Sequence, residues 1–439
     1  MADDIAALAL GPPKKKGGKR NSTAANAVMQ KRLMEIGHWC SRNLLSISIA
    51  KTVWMVIYFS KLSEEESAEA AELSLSLHGK PLAEAPSAKY IGLLYTKFDT
   101  TRYRHHMTKL AGSLRGHSNT LINVQGQHGA LSPRDSRDFY VEQARSLVLF
   151  SAPITFAADG KMLESAEHDY MRAILRLGAA SSVEAMYLEL DLQPITSVRW
   201  GLAIQFFYYA SSAEAPTLVR AALRDNMSLE SKANAMLPSW FAHLVGVAAV
   251  CGIEIARWLP ENGIERKDLP SPAETKGIVR RWQRGALEAK MSKARAFFLR
   301  PILSPKIRDY LQILSFEERF HFTRMRMGFT YLQIELGRWQ TVKPSSKERT
   351  CRMCPLSITE DVPHVLGGCG NEKLHKLRME FMAQLLSLPK AEFYAAFADW
   401  SSPVLWWLLL NETEPQVLRC VAKYGKTALS LVYTYPLTL

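Results

Sequence analysis

Apolar positions recur along most of this chain at intervals of three and four. Between Ala24 and Asn43, Val28, Leu33, Ile36 and Trp39 or Cys40 fall on one helical face, and the pattern stops at the Asn43 turn. It then changes. TVWMVIYF, after Lys51, and YIGLLY, from Tyr90, are short runs rich in β-branched and aromatic residues, the composition of strands. The intervening SEEESAEAAELSLSLHGKPLAEAPS is acidic and rich in Ala, Ser and Pro, which predicts an exposed, mobile insertion. Beyond Thr101 helical spacing dominates, in HHMTKLAGSLRGHSNTLIN, RDFYVEQARSLVLFSAPITF and KMLESAEHDYMRAILRL. In the last of these Leu163, Ala166, Tyr170, Ile174 and Leu177 share a face, with Arg172 and Arg176 turned away from it. Another helix follows Pro194, and more run to about Trp258. ENGIERKDLPSPAETKG, from Glu261, concentrates Pro, Gly and charge and is the best internal linker. The expected class is α+β, predominantly α-helical.

Composition narrows the partners. The 439 residues carry 55 Lys and Arg against 42 Asp and Glu, a formal net charge of +13, which favours a polyanion. No secretory leader opens the chain, so an intracellular protein is expected. LPSWFAHLVGVAAVCGI, from Leu237, is short for a span and contains Pro238 and His243; a buried helix, not a membrane segment, is expected there. Five basic residues between Lys14 and Arg20 form a solvated loop or a localisation signal, the latter placing the protein in the nucleus in preference to the cytoplasm. RRWQRGALEAKMSKARAFFLR sets Arg280, Arg281, Arg284, Lys290, Lys293 and Arg295 among Trp282, Phe297 and Phe298. Phosphate contact with base stacking suits that mixture, and so does the solvated face of a packed helix.

Six cysteines in a chain this long are no disulfide scaffold, and three of them crowd into one segment. In RTCRMCPLSITEDVPHVLGGCG, Cys351, Cys354, His364 and Cys369 follow the spacing C-x2-C-x9-H-x4-C. Two thiolates two residues apart can chelate one ion from a tight turn, and the second pair completes a tetrahedron: a closed, structural zinc site. Gly367, Gly368 and Gly370 allow the sharp backbone required, and His375 is a spare ligand. The order Cys-Cys-His-Cys is that of zinc knuckles, which bind single-stranded nucleic acid. Cys40, Cys251 and Cys420 read as ordinary buried thiols, and Trp406 and Trp407 as core.

The opening MADDIAALAL has two readings: Asp3 and Asp4 cap a helix, or they form a carboxylate pair for divalent metal. Several pieces, taken in order, bear on it: ADD before an apolar run, a helix ending HWCSRNLLSISIAKT, the YIGLLY strand, LESAEHDYMRAILRL, LQPITSVRW, RMRMGFTYLQIELGRW and the terminal Cys/His segment. Together they resemble the C-terminal part of a non-LTR (LINE-type) retrotransposon reverse transcriptase, over nearly the whole chain.

The resemblance implies a palm remnant over 1–98, a helical thumb over 99–215 and a helical linker with the basic segment over 216–340. A zinc-knuckle region over 341–390 and a helical tail over 391–439 complete the expected division. It implies that Asp3 and Asp4 match the aspartate pair that binds two catalytic magnesium ions, with Met1 in place of the usual aromatic. Lys51 then matches a lysine near the incoming nucleotide, although the residues alone read as a solvated strand-start lysine. Tyr90 to Leu94 match the primer grip, where Gly92 would let backbone approach phosphates. The family's first aspartate ligands lie upstream of the pair and its nucleases lie elsewhere, so Asp3 and Asp4 are expected to be vestigial.

The expectation is therefore a truncated, element-derived polypeptide binding RNA or DNA, with structural zinc, and magnesium only if it polymerises. An RNA-directed DNA polymerase acting within a longer chain or complex, and a non-functional remnant, are the alternatives.

Overall fold

The alternation in LSLSL sets Leu73, Leu75 and Leu77 on one side of an extended backbone, and there the chain folds where its composition predicted mobility. The computed structural model describes residues 22–56, 72–97, 103–129, 131–230, 239–255, 263–293 and 308–436. These are mostly helical, with three two-stranded sheets. They divide into two compact units, one reaching Gly112 and including Phe150–Met162, the other made of Ser113–Leu149 and the chain from Leu163.

In the first unit the helix Ser22–Arg42 packs Met29 and Leu33 on a small core of Leu75, Leu77 and Leu82. Val28 and Trp39, expected on the packed face, are half exposed. The insertion expected to be exposed and mobile instead supplies that core. Ser76–Leu77 pairs with Lys80–Pro81 around a two-residue turn, His78 and Gly79 both having positive φ. The period-two leucines put Leu75 and Leu77 on one face, a local signal that the averaged composition hides. The Gln30 side-chain amide extends the ladder, donating to the Ser76 carbonyl at 2.8 Å and accepting from the Ser76 N–H at 2.9 Å.

Of the predicted strand after Lys51, Val53–Trp54 is extended and pairs in parallel with Ala83–Glu84; the run from Ile57 lies outside the described residues. YIGLLY is not one strand. It is the turn of a hairpin, Ser87–Tyr90 pairing with Leu93–Thr96 in the register Tyr90↔Leu93. Ile91 at φ 44° and Gly92 at φ 79° make the turn, which needs left-handed backbone at both positions. A Cβ on Gly92 would also stand 2.9 Å from the Phe150 ring. His106 anchors the second strand by accepting from the Leu94 N–H at 3.3 Å.

In the second unit the amphipathic helix Pro415–Val432 is the spine. It buries Val417, Leu418, Val421, Leu429 and Val432 against the helices Phe316–Met327, Glu372–Leu385 and Pro403–Leu410. Phe381 stacks on Tyr424 at 4.3 Å, and Trp406 is fully buried within 6.2 Å of both rings. The helix Lys161–Leu175 buries Leu163, Ala166 and Tyr170 as its spacing requires. Between them it also buries Glu167, which accepts from Tyr187 Oη at 2.7 Å and the Ile195 N–H at 3.0 Å and pairs with Arg145 at 3.0 Å. Such a charge is tolerable only because every lone pair finds a donor. Arg326 is buried likewise, 2.6 Å from Glu189 and 2.9 Å from Asn411 Oδ1.

Trp240–Val250 is a helix with Phe241, Leu244 and Ala248 buried, as the uncharged stretch from Leu237 suggested. Among the described residues, no helix is long and apolar enough to cross a membrane.

Candidate metal centre

The segment from Arg349 to Glu372 is held to the second unit by a few buried polar groups. Thr350 bridges Thr359 antiparallel, with the Cys351 N–H donating to the Ile358 carbonyl at 2.8 Å and the Glu360 N–H to the Arg349 carbonyl at 2.9 Å. This short ladder returns the chain so that the Cys351–Cys354 turn meets the residues after Pro363. Asp361 starts the next turn by accepting the His364 N–H at 2.9 Å, and His364–Gly368 forms one wide π-helical turn. That turn delivers Cys369 beside Cys351.

Cys351, Cys354 and Cys369 Sγ and a His364 ring nitrogen all lie within 4.8 Å of one another, and all four residues are buried. Cys351 Sγ and Cys369 Sγ are 3.8 Å apart, and Cys354 Sγ and His364 Nε2 are 3.4 Å apart. Zinc bonds of about 2.3 Å to sulfur and about 2.0 Å to nitrogen, at tetrahedral angles, require separations of about 3.8 Å and about 3.5 Å. The donor set and its spacing therefore fit one tetrahedral ion. His375, the spare ligand, stands outside the group: it is exposed, and its Nδ1 meets Arg378 Nη2 at 3.0 Å.

Without an ion the cluster is electrostatically awkward. The Cys351 thiol, hydrogen-bonded to Cys369 and desolvated, is pushed up to about 12, while Cys369 is drawn down by the same bond. Two thiols sharing one proton are what a divalent cation replaces, since it holds both as thiolates.

The second layer was not legible in the spacing. Glu360 is fully buried; it accepts the Gln333 N–H at 3.0 Å and the Arg352 N–H at 2.9 Å and pairs with the Arg352 guanidinium at 3.0 Å. One carboxylate thus ties the Cys-x2-Cys turn to the start of the helix Gln333–Trp339. Arg378 donates to the Cys369 carbonyl at 3.2 Å, and Tyr424 Oη to the Leu366 carbonyl at 2.5 Å. Gly367 is required by space: a Cβ there would lie 1.8 Å from the Trp400 carbonyl oxygen and 2.7 Å from Trp406 Nε1.

The remaining predicted site residues do not gather at this centre. Asp3, Asp4 and Arg295 lie outside the described residues, as do the Lys14–Arg20 cluster, Phe297 and Phe298. Lys51 is exposed and closes the short turn Ile49–Lys51. Tyr90 and Gly92 sit at the hairpin turn described above. The described part of the basic segment lies on the helix Pro272–Lys293, where Arg281 and Lys290 are exposed. Arg280 pairs with Asp191 at 2.6 Å, and Arg284 with Glu288 at 2.8 Å and Asp191 at 3.7 Å. Trp282 packs on Trp200, ring centres 5.5 Å apart. The other three cysteines are buried.

A histidine–serine pair elsewhere lacks the geometry of a nucleophile and its base. His106 Nε2 meets buried Ser151 Oγ at 2.8 Å, but Nδ1 accepts the Leu94 N–H, so Nε2 carries the proton and donates it.

No protein-family model, no curated protein and no solved structure matches this chain. The Cys3His group is the feature on which a functional reading rests.

Proposed function

We propose that this chain is a nucleic-acid-binding polypeptide whose C-terminal module is organised by one structural zinc ion. The reading extends to its source: the end of a palm, a helical thumb and a zinc knuckle, as in the C-terminal part of a non-LTR retrotransposon reverse transcriptase. The observation that carries it is the closed set of Cys351, Cys354, His364 and Cys369, within 4.8 Å of one another, in a chain of net charge +13. Four protein ligands leave no open position, so the ion supplies folding free energy and no Lewis-acid chemistry. The exposed lysines on either side of it, Lys347, Lys373 and Lys376, then present cations to phosphate, which makes affinity depend on counterion release. Polymerisation by this chain alone is not part of the proposal.

The test is direct. Purified protein should contain about one zinc per chain by elemental analysis. Its affinity for single-stranded RNA should fall steeply with salt and drop when Cys351 or His364 is replaced. Affinity indifferent to both salt and ligand replacement would refute the reading.

A further inference from the structure

The helix Phe316–Met327 sets rings and cations in alternation along one strip of the second unit. Phe316, Phe320 and Arg324 are spaced at i, i+4 and i+8, so successive members stand about 6 Å apart along one face. Phe316 is 47% exposed, and Arg176 lies 5.4 Å from its ring centre. The Arg324 guanidinium lies 3.9 Å from the centre of Phe320 and 5.1 Å from that of Tyr331. Tyr331 continues the strip to the zinc segment, its carbonyl accepting from Arg352 at 3.0 Å.

Arg176, Phe316, Glu317, Phe320, His321 and Lys426 line an open cleft of about 450 Å³, within the range of small-ligand sites. A smaller hollow shares Arg176, Phe316 and Phe320 and adds Arg319. In the cleft Arg176 and Lys426 thus face one carboxylate, Glu317, which is already paired with Lys426, while Arg319 lines the smaller hollow and donates to the Leu311 carbonyl at 2.9 Å. Arg176 makes no ion pair among the described residues. Phe316 and Tyr331 are exposed, Phe320 between them is half-buried, and Arg176 adds a cation without an ion pair, a strip that asks for a ligand with flat faces and regularly placed anions.

We propose that this strip, from Arg176 and Phe316 through Phe320 and Arg324 to Tyr331, is the track of a single-stranded polynucleotide. Bases stack on Phe316 and Phe320, and phosphates lie against Arg176, Arg319 and Lys426. The proposal rests on the nucleic-acid reading above and gives it a location outside the zinc loop. An acidic peptide would use the cations but leave the rings without a partner.

The experiment titrates labelled oligo(U) or oligo(dT) into the full zinc-loaded chain. Phe316→Ala should weaken binding about five- to a hundredfold at fixed salt, the loss of one stacked base, with the salt slope unchanged. Arg176→Gln should lower the slope of log affinity against log salt by about 0.7. In the unaltered chain, ultraviolet crosslinking should place adducts on the tryptic peptides 309–319 or 320–324, a readout that needs no variant to fold. Variants that bind like the parent, with adducts elsewhere, would overturn the track. Displacement of the oligonucleotide by poly-glutamate as efficiently as by unlabelled oligonucleotide would also overturn it. If Cys354→Ser abolishes binding and Phe316→Ala leaves it intact, the track falls and the zinc reading stands; if the intact chain binds neither oligonucleotide, both fall.

Discussion

Glu335 tests whether the interior of the second unit is as dry as its packing implies. It is 6% exposed, it accepts from Thr330 Oγ1 at 2.9 Å, and burial pushes its carboxyl from an ordinary 4.5 up to about 7. The folded chain therefore keeps a proton that the unfolded chain releases between those values, so stability falls as pH rises through that window. Linkage over the two values gives a penalty of about 1 kcal/mol at pH 5 and about 3 kcal/mol at pH 8. Glu335→Gln mimics the protonated acid in shape and cannot ionise. Urea unfolding of parent and variant at both pH values should show the variant gaining about 2 kcal/mol more at pH 8 than at pH 5. Taking the difference between proteins at each pH cancels the titration of the thiols, which both share. An advantage for the variant that does not grow with pH would show that Glu335 is hydrated or paired, and the reasoning would fail.

Gly367→Ala should cost about 3 kcal/mol or more, because the added methyl collides with the Trp400 carbonyl and the Trp406 indole, neither of which is a flexible side-chain end; an unfolding midpoint equal to the parent's would contradict that. Arg326→Met strands Glu189 in the core and should cost about 3 kcal/mol, at the low end for a broken buried pair because Arg308 lies 4.0 Å from the same carboxylate. The double change Glu189→Leu with Arg326→Met should recover most of that loss in the same denaturation assay, and no recovery would mean the pair is not the origin. Zinc chelation should alter the near-ultraviolet dichroism of the Phe381, Trp406 and Tyr424 cluster, since the Leu366 carbonyl and Gly367 join that cluster to the ligand loop. A spectrum unchanged after complete metal removal would show that the loop folds without an ion.

What could be read from the chain was whatever repeats locally. The face of Leu163, Ala166 and Tyr170, the helix after Pro194 and the buried helix from Trp240 all follow from spacing, because a helix's neighbours are three and four residues away. The gathering of Cys351, Cys354, His364 and Cys369 into a group that could hold a metal ion was legible for the same reason: chelation by a short segment constrains spacing within that segment. The turn inside YIGLLY was hidden by its composition, since Ile91 is a strand former held in left-handed backbone by the pairing on either side. The leucines of the Ser-rich insertion were legible by alternation and lost only when that stretch was averaged.

Nothing local announces that Glu189 will meet Arg326, 137 residues away. The same holds for Glu360, which closes on Gln333, and for Phe316 and Arg176, which share a cleft. A charge on a helix reads as solvated until a second element removes its water. Which charges are buried, which are spent on each other and which remain for a ligand are decided by packing between distant segments, and therefore by the tertiary structure alone.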